Sequence, residues 1–187
     1  MPEFNEARAL ECLSFNQKVH EWLSKHQSVK FAVLSSVVHP YVEGTIFYQD
    51  HLIRAPRIEF VVQQFENTLA WLAEMGIKPV IFAPPPRDGK NIGSCLVRSK
   101  WLGLDSSVCD ISVSEYHKSE EKVISFMEEI SKRYTVIWPS DELCSKLSCR
   151  SQVGDVFIYR DGGHLSHEGS RYLGKVMGFY ALIKDHS

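Results

Sequence analysis

Apolar positions first recur at helical spacing: Leu10, Leu13, Val19, Trp22 and Leu23 predict an amphipathic helix over about residues 5–27, ending near Lys25 and His26. The pattern then changes to a β-branched, apolar run, Val29 to Val38, bounded by Pro40, which reads as a buried strand of a parallel sheet. A loop through His39, Gly44 and His51 leads to Pro56, placed for the first turn of a helix. That helix carries Phe60, Val61, Phe65, Leu69 and Leu72 and stops at Gly76. Lys78 to Ala83 is a second buried strand, cut off by Pro84, Pro85 and Pro86, which cannot continue a ladder. Ser114 is placed to cap a helix bearing Val123, Ile124, Phe126, Met127 and Ile130. Tyr134 to Trp138 is a third strand ended by Pro139, and a short helix follows Ser140. Val153 to Tyr159 is extended, and Ser166 opens a last helix running through Tyr172, Leu173, Val176, Met177 and Tyr180.

Helices alternating with short apolar strands predict an α/β layered fold with a mainly parallel sheet. No repeat, low-complexity tract or linker divides the chain, so residues 1–187 form a single domain. Because the chain opens on a helix, the sheet is expected to lack its first strand.

Composition narrows the partners. The 187 residues are 44% hydrophobic and 24% charged, with a formal net charge of -2. There is no basic stripe for nucleic acid and no polybasic anchor for a membrane surface. The start, Met1 to Arg8, lacks a basic segment followed by an apolar one, and no stretch approaches the roughly 18 apolar residues of a spanning helix, so the chain as written has no means of export. Five cysteines, Cys12, Cys95, Cys109, Cys144 and Cys149, are many for such a domain and odd in number. Together with the missing export signal they point to a piece of something longer, truncated at its N-terminus.

The chemistry concentrates near the end. Asp161 and His164 lie three residues apart in a Gly-containing turn before the last helix, where a carboxylate can accept the imidazole Nδ1 proton and turn Nε2 outward as a base. The plainer reading is that Asp161 caps a turn and His164 is a loop residue. The block Tyr159-Arg160-Asp161-x-x-His164-Leu165-Ser166-x-x-Gly169 resembles the final block of SGNH hydrolases, in the variant fused to membrane acyltransferases of family 3, which act on bacterial surface polysaccharides. Further similarity lies in Cys144 and Cys149 running into Val156-Phe157-Ile158-Tyr159, and in Pro84 to Arg87 with Cys95 and Cys109. A weaker one involves Cys12, Phe15 and Asn16.

That resemblance implies a three-layer, flavodoxin-like SGNH fold and O-acyl transfer or ester hydrolysis on a glycan such as O-antigen lipopolysaccharide. Asp161 would orient His164, which would take the proton of a nucleophilic serine. The acyl donor, the glycan acceptor and a membrane acyltransferase domain would be the partners, at the periplasmic face of the inner membrane. Cys95 with Cys109 and Cys144 with Cys149 are the structural disulfide candidates. No cofactor and no metal are implied.

The family's Gly-Asp-Ser block does not occur in these residues, nor does a Gly-x-Ser-x-Gly elbow. Ser35, Ser36 and Ser94 are the loop or strand-end serines left to test as nucleophiles. A zinc site from Cys144, Cys149, His164 and His167 is a rival reading, disfavoured because two residues between the histidines are fewer than the usual three to five. An interaction module without activity is the other rival. Asp88 to Ser94 lacks the order of a phosphate loop and reads as a turn. Trp22, Trp71 and Trp138 are expected in the core, and His20, His26, His51 and His117 on the surface.

Overall fold

Three of the apolar runs become the parallel sheet of the protein, seen in a computed structural model that describes residues 6–49 and 51–185. Met1 to Asn5, part of the start read above for an export signal, lie outside them. From the start, α1 (Glu6–Ser24), β1 (Phe31–Ser35), α2 (His39–Glu43), β2 (Thr45–Tyr48), β3 (His51–Arg54), α3 (Ile58–Glu74) and β4 (Lys78–Phe82) follow in order. Then come α4 (Ile92–Trp101), a 3-10 turn (Ser106–Cys109), β5 (Ile111–Ser112), α5 (Val113–Ser119), α6 (Glu121–Ser131) and β6 (Thr135–Ile137). The remainder is α7 (Pro139–Leu143), β7 (Ser148–Cys149), β8 (Gln152–Val153), β9 (Val156–Phe157), α8 (His167–Val176) and α9 (Phe179–Asp185).

The sheet order is β1-β4-β6, all parallel, with Ser35 level with Phe82 and Phe82 level with Ile137. Helices flank it on both sides. Strand β4, paired on both edges, is the most deeply buried, with Val80 and Ile81 at 0% and 1% exposure. One buried cluster joins α2, α3 and α6 to Ile81 through Val42, Leu69, Phe126 and Ile130. A second joins α4, α5 and α8 through Leu96, Tyr116, Ile158 and Leu173. Each such fully buried side chain stabilises the fold by about 1.5–3 kcal/mol relative to exposure.

Several expectations need correction. Strand β1 is half exposed, with Val33 at 51%, because it has a partner only on its β4 side and α1 does not cover it. Helix α1 buries no stripe, and Leu10, Leu13 and Trp22 are exposed, Trp22 stacking only on His26. Trp22 is therefore not a core residue, while Trp138 packs on the first cluster. The segment read as a loop before Pro56 holds α2 and the β2-β3 hairpin. Gln49 there takes a positive φ of 47°, a conformation that the sequence does not advertise with Asn or Gly. The predicted single helix from Ser114 is broken at Glu120, and Ser112 rather than Ser114 precedes its first half. The last helix is also divided, at Gly178 with φ 59°, and α4 was not anticipated.

Candidate active site

The loop from Tyr159 to Ser166 is shaped by its own backbone before any side chain acts. The N–H of Arg160 donates to the carbonyl of His164 at 2.9 Å, and that of Ser166 to Ile158 at 2.8 Å. These bonds close a short antiparallel turn between β9 and α8. Below it, Tyr159 is buried and its hydroxyl donates to the Pro86 carbonyl at 2.8 Å, tying the turn to the loop leaving the carboxyl end of β4. Above it, Ser166 caps α8, its Oγ accepting from the Gly169 N–H at 2.8 Å.

Two glycines set how closely the turn can seat. A Cβ at Gly93 would lie 2.0 Å from the Arg160 carbonyl oxygen, and one at Gly169 would lie 2.3 Å from that of Ile158. The first turn of α4 thus supports one side of the loop and α8 the other, through backbone contacts that no side chain allows.

Within this frame Asp161 and His164 meet. His164 Nδ1 lies 2.9 Å from Asp161 Oδ1 and 3.0 Å from Oδ2. The same carboxylate accepts the backbone N–H groups of Gly163 at 3.0 Å and His164 at 2.9 Å, and Arg160 donates to it at 3.2 Å. These bonds, first that of Gly163 and then that of His164, hold the Asp161 carboxyl well below the ordinary aspartate range. An ionised carboxylate there places the imidazole proton on Nδ1 and leaves Nε2 as the basic nitrogen. The His164 side chain is 64% exposed, so Nε2 is accessible. The arrangement can accept a proton from a hydroxyl brought to it.

No serine hydroxyl is hydrogen-bonded to His164 among the described residues. Ser35 ends β1 and Ser36 follows it, both exposed. Ser94 lies in the first turn of α4, with its N–H on the Asn91 side chain at 2.9 Å.

A residue pair that the sequence did not reveal lies beneath the loop. Arg87 Nε donates to Glu120 Oε1 at 2.7 Å and Nη2 to Oε2 at 3.1 Å, with Glu120 6% exposed. Arg87 reaches the underside of Gly163, where a Cβ would lie 3.4 Å from its Nη1. Ser119 also donates to the Arg87 carbonyl, at 2.9 Å. The break between α5 and α6 presents Glu120 for this pairing. In sequence, Glu120 is one acid among Glu115, Glu121 and Glu128 and carries no distinguishing mark.

The cysteines staple the same region. Cys95 on α4 is bonded to Cys109 in the 3-10 turn (S–S 2.02 Å), and Cys144 after α7 to Cys149 in β7 (S–S 2.07 Å). Cys12 is free and exposed. With their sulfurs bonded to each other, Cys144 and Cys149 have no thiolate to give a metal, and no cluster of His, Cys, Asp or Glu fit to hold one occurs among the described residues. A hollow of about 380 Å³ lies at the opposite end of the strands, where β4 and β6 begin, lined by Gly76, Lys78, Pro79 and Tyr134.

A parallel α/β sheet with an Asp-x-x-His loop before α8 agrees with an SGNH-type domain. The model of the SGNH domain (fused to AT3 domains) matches residues 1–178, and the chain belongs to that family. Its fold is similar to a solved structure, the periplasmic domain of the lipopolysaccharide acetyltransferase of Salmonella ser. Paratyphi A, with a TM-score of 0.57 and 16% identity. The similarity covers 90% of this chain and 62% of that one, so the chain spans less than two thirds of that domain's length. No curated protein matches the chain. Among the described residues no helix is long and apolar enough to cross a membrane.

Proposed function

We propose that this domain serves O-acyl transfer, or the related ester hydrolysis, on a bacterial surface polysaccharide, with His164 as general base and Asp161 as the residue that orients it. The observation that carries the reading is the 2.9 Å approach of His164 Nδ1 to an ionised Asp161 on the loop before α8. Membership of a family whose SGNH domains are fused to AT3 domains supports a membrane acyltransferase domain as partner in the parent protein. Likeness to a lipopolysaccharide acetyltransferase periplasmic domain supports a glycan acceptor and a periplasmic location.

The chemistry runs in two steps. A serine hydroxyl attacks the acyl carbonyl of the donor while Nε2 of His164 takes its proton; the donor's alcohol leaves with that proton, and the serine is acylated. A glycan hydroxyl then attacks the acyl-serine, its proton passes to Nε2 and on to the serine oxygen, and the ester is transferred. Water in place of the glycan gives hydrolysis. By the family resemblance the serine would come from a Gly-Asp-Ser segment, a sequence that does not occur in these residues.

Hydrolysis of a chromogenic acetyl ester tests this, using the chain alone and the chain joined upstream to a Gly-Asp-Ser segment. Activity in the joined form that is lost in His164→Ala and Asp161→Asn is expected. Unchanged hydrolysis in those variants overturns the assignment. Activity of the chain alone that depends on His164 makes Ser35, Ser36 or Ser94 the nucleophile. The second reading, an interaction module without catalysis, is met if neither form hydrolyses the ester.

A further inference from the structure

Helix α4 has two faces of different character. Ile92, Leu96 and Ser99 are buried in the second cluster, and Cys95 anchors the helix to the 3-10 turn. On the opposite face, Val97 and Trp101, one turn apart, are 64% and 87% exposed. At 100° per residue, Lys100 falls on one side of that pair and Arg98 on the other, and both are exposed. The chain beyond keeps exposing apolar side chains, with Leu104 at 54% and Val108 at 62%. Among the described residues Trp101 is the most exposed of the large hydrophobic side chains.

An indole with a neighbouring aliphatic side chain, bracketed by long cationic side chains, is the arrangement that sits in the headgroup layer of a bilayer. The ring enters the boundary of the acyl chains while Lys and Arg extend to the phosphates. Both basic residues also lie in the last turn, where they offset the negative end of the helix dipole. That accounts for the charges and leaves the exposed Trp101 unexplained. Asp105, just beyond the helix, remains an anion, its carboxylate accepting the Ser107 N–H at 2.8 Å, while α4 itself carries two cations and no acid. Helix α1 also exposes apolar side chains on one face, Phe15, Val19 and Trp22 at i, i+4 and i+7, but its Lys18 and Lys25 fall together on one side of that face rather than bracketing it.

We infer that the outer face of α4 is a docking surface for a bilayer containing anionic phospholipid. It goes beyond the acyl-transfer reading and does not depend on it. The placement has a consequence for that reading nonetheless. The first turn of α4 supports the Asp161–His164 loop through Gly93, and ten residues of helix span about 15 Å. Docking through Val97 and Trp101 holds the loop close to the membrane surface.

The test is binding of the full chain to vesicles of phosphatidylethanolamine with phosphatidylglycerol, beside vesicles of phosphatidylcholine alone, followed by co-sedimentation and tryptophan fluorescence. The chain is expected to bind the anionic vesicles with a blue-shifted emission. Trp101→Glu, Val97→Asp and the pair Arg98→Glu with Lys100→Glu are each expected to weaken binding about tenfold or more. All four side chains are exposed, so far-ultraviolet circular dichroism should stay unchanged, and only the Arg98→Glu, Lys100→Glu pair, which reverses two charges at the helix C-terminus and removes the Lys100 contact with the Phe157 ring, should lower the melting temperature slightly. Leu13→Glu on α1 is the control and should bind as the parent does. Failure of the parent chain to bind anionic vesicles overturns the inference and leaves the face to a protein partner. Equal binding by Trp101→Glu, or loss in Leu13→Glu alone, overturns it as well.

Discussion

In α1 and β1, Leu10, Phe15, Trp22 and Val33 are 47%, 65%, 52% and 51% exposed, and β1 has a hydrogen-bonded neighbour on one edge only. Between α4 and α8, Leu96, Ile111, Ile158 and Leu173 are exposed by no more than 1%, and two disulfides, a bidentate ion pair and backbone contacts at Gly93 and Gly169 join the elements. Both regions are rich in apolar residues, so composition does not separate them. What separates them is whether each apolar side chain finds a partner. The faces that enclose the Asp161–His164 loop are packed, with Val97 and Trp101 exposed only on the outer face of α4, whereas β1 has a free edge and an exposed Val33 within the sheet itself.

The sharpest way to break this comparison is to truncate one residue in each region. Leu173→Ala, at 0% exposure, should cost about 2–5 kcal/mol, against about 0.5 kcal/mol or less for Val33→Ala, read by urea denaturation. Similar losses at both sites would mean that β1 is covered in solution. Glu120→Ala leaves Arg87 without its partner under the Gly163 turn and should cost about 3 kcal/mol. Replacing Cys95 and Cys109 together by Ser should cost about 3 kcal/mol for a loop of this length, and a smaller change would put the stability of α4 in its buried face instead.

Alkaline titration sharpens the picture. Burial, with the Glu120 charge adding to it, pushes the Tyr116 hydroxyl up to about 12 from an ordinary 10.0. A raised folded value means that its contribution is complete below pH 10 and is lost as pH rises from there toward 12. The melting temperature should fall across that window, and Tyr116→Phe should fall less. The smallest expected effect lies at the loop itself. Asp161 is depressed, so its contribution is complete above the ordinary 3.8 and is lost only as pH falls through the lower folded value. His164→Ala should leave the stability read by urea denaturation within about 0.5 kcal/mol of the parent, because the imidazole is largely exposed.

Much of this region was legible in the sequence because local chemistry decides it. Pro84 to Pro86 end β4, Ser166 caps α8, and Asp161 reaches His164 within one turn. Strands β4 and β6 follow from short apolar runs bounded by proline. What was not legible depends on partners distant in the chain. Glu120 divides a continuous helical pattern because Arg87, 33 residues earlier, takes its carboxylate. The burial expected of Val29 to Val38 presumed a second neighbouring strand, and periodicity cannot say whether one is there. Helix α4 escaped notice because Val97 and Trp101 point outward, which blurs the spacing of Ile92, Leu96 and Ser99.

The contact of Gly93 with the Arg160 carbonyl has a meaning at the level of the gene. Every missense change of one base in a glycine codon installs a residue with a Cβ, whether Ala, Val, Ser, Asp or another. At 2.0 Å from a backbone oxygen, none of these fits without moving the turn that holds Asp161. The same holds at Gly169, where the obstructing oxygen is that of Ile158. A mutational scan of this domain should therefore find both codons intolerant in every direction, while the codons of β1 accept most of what is offered.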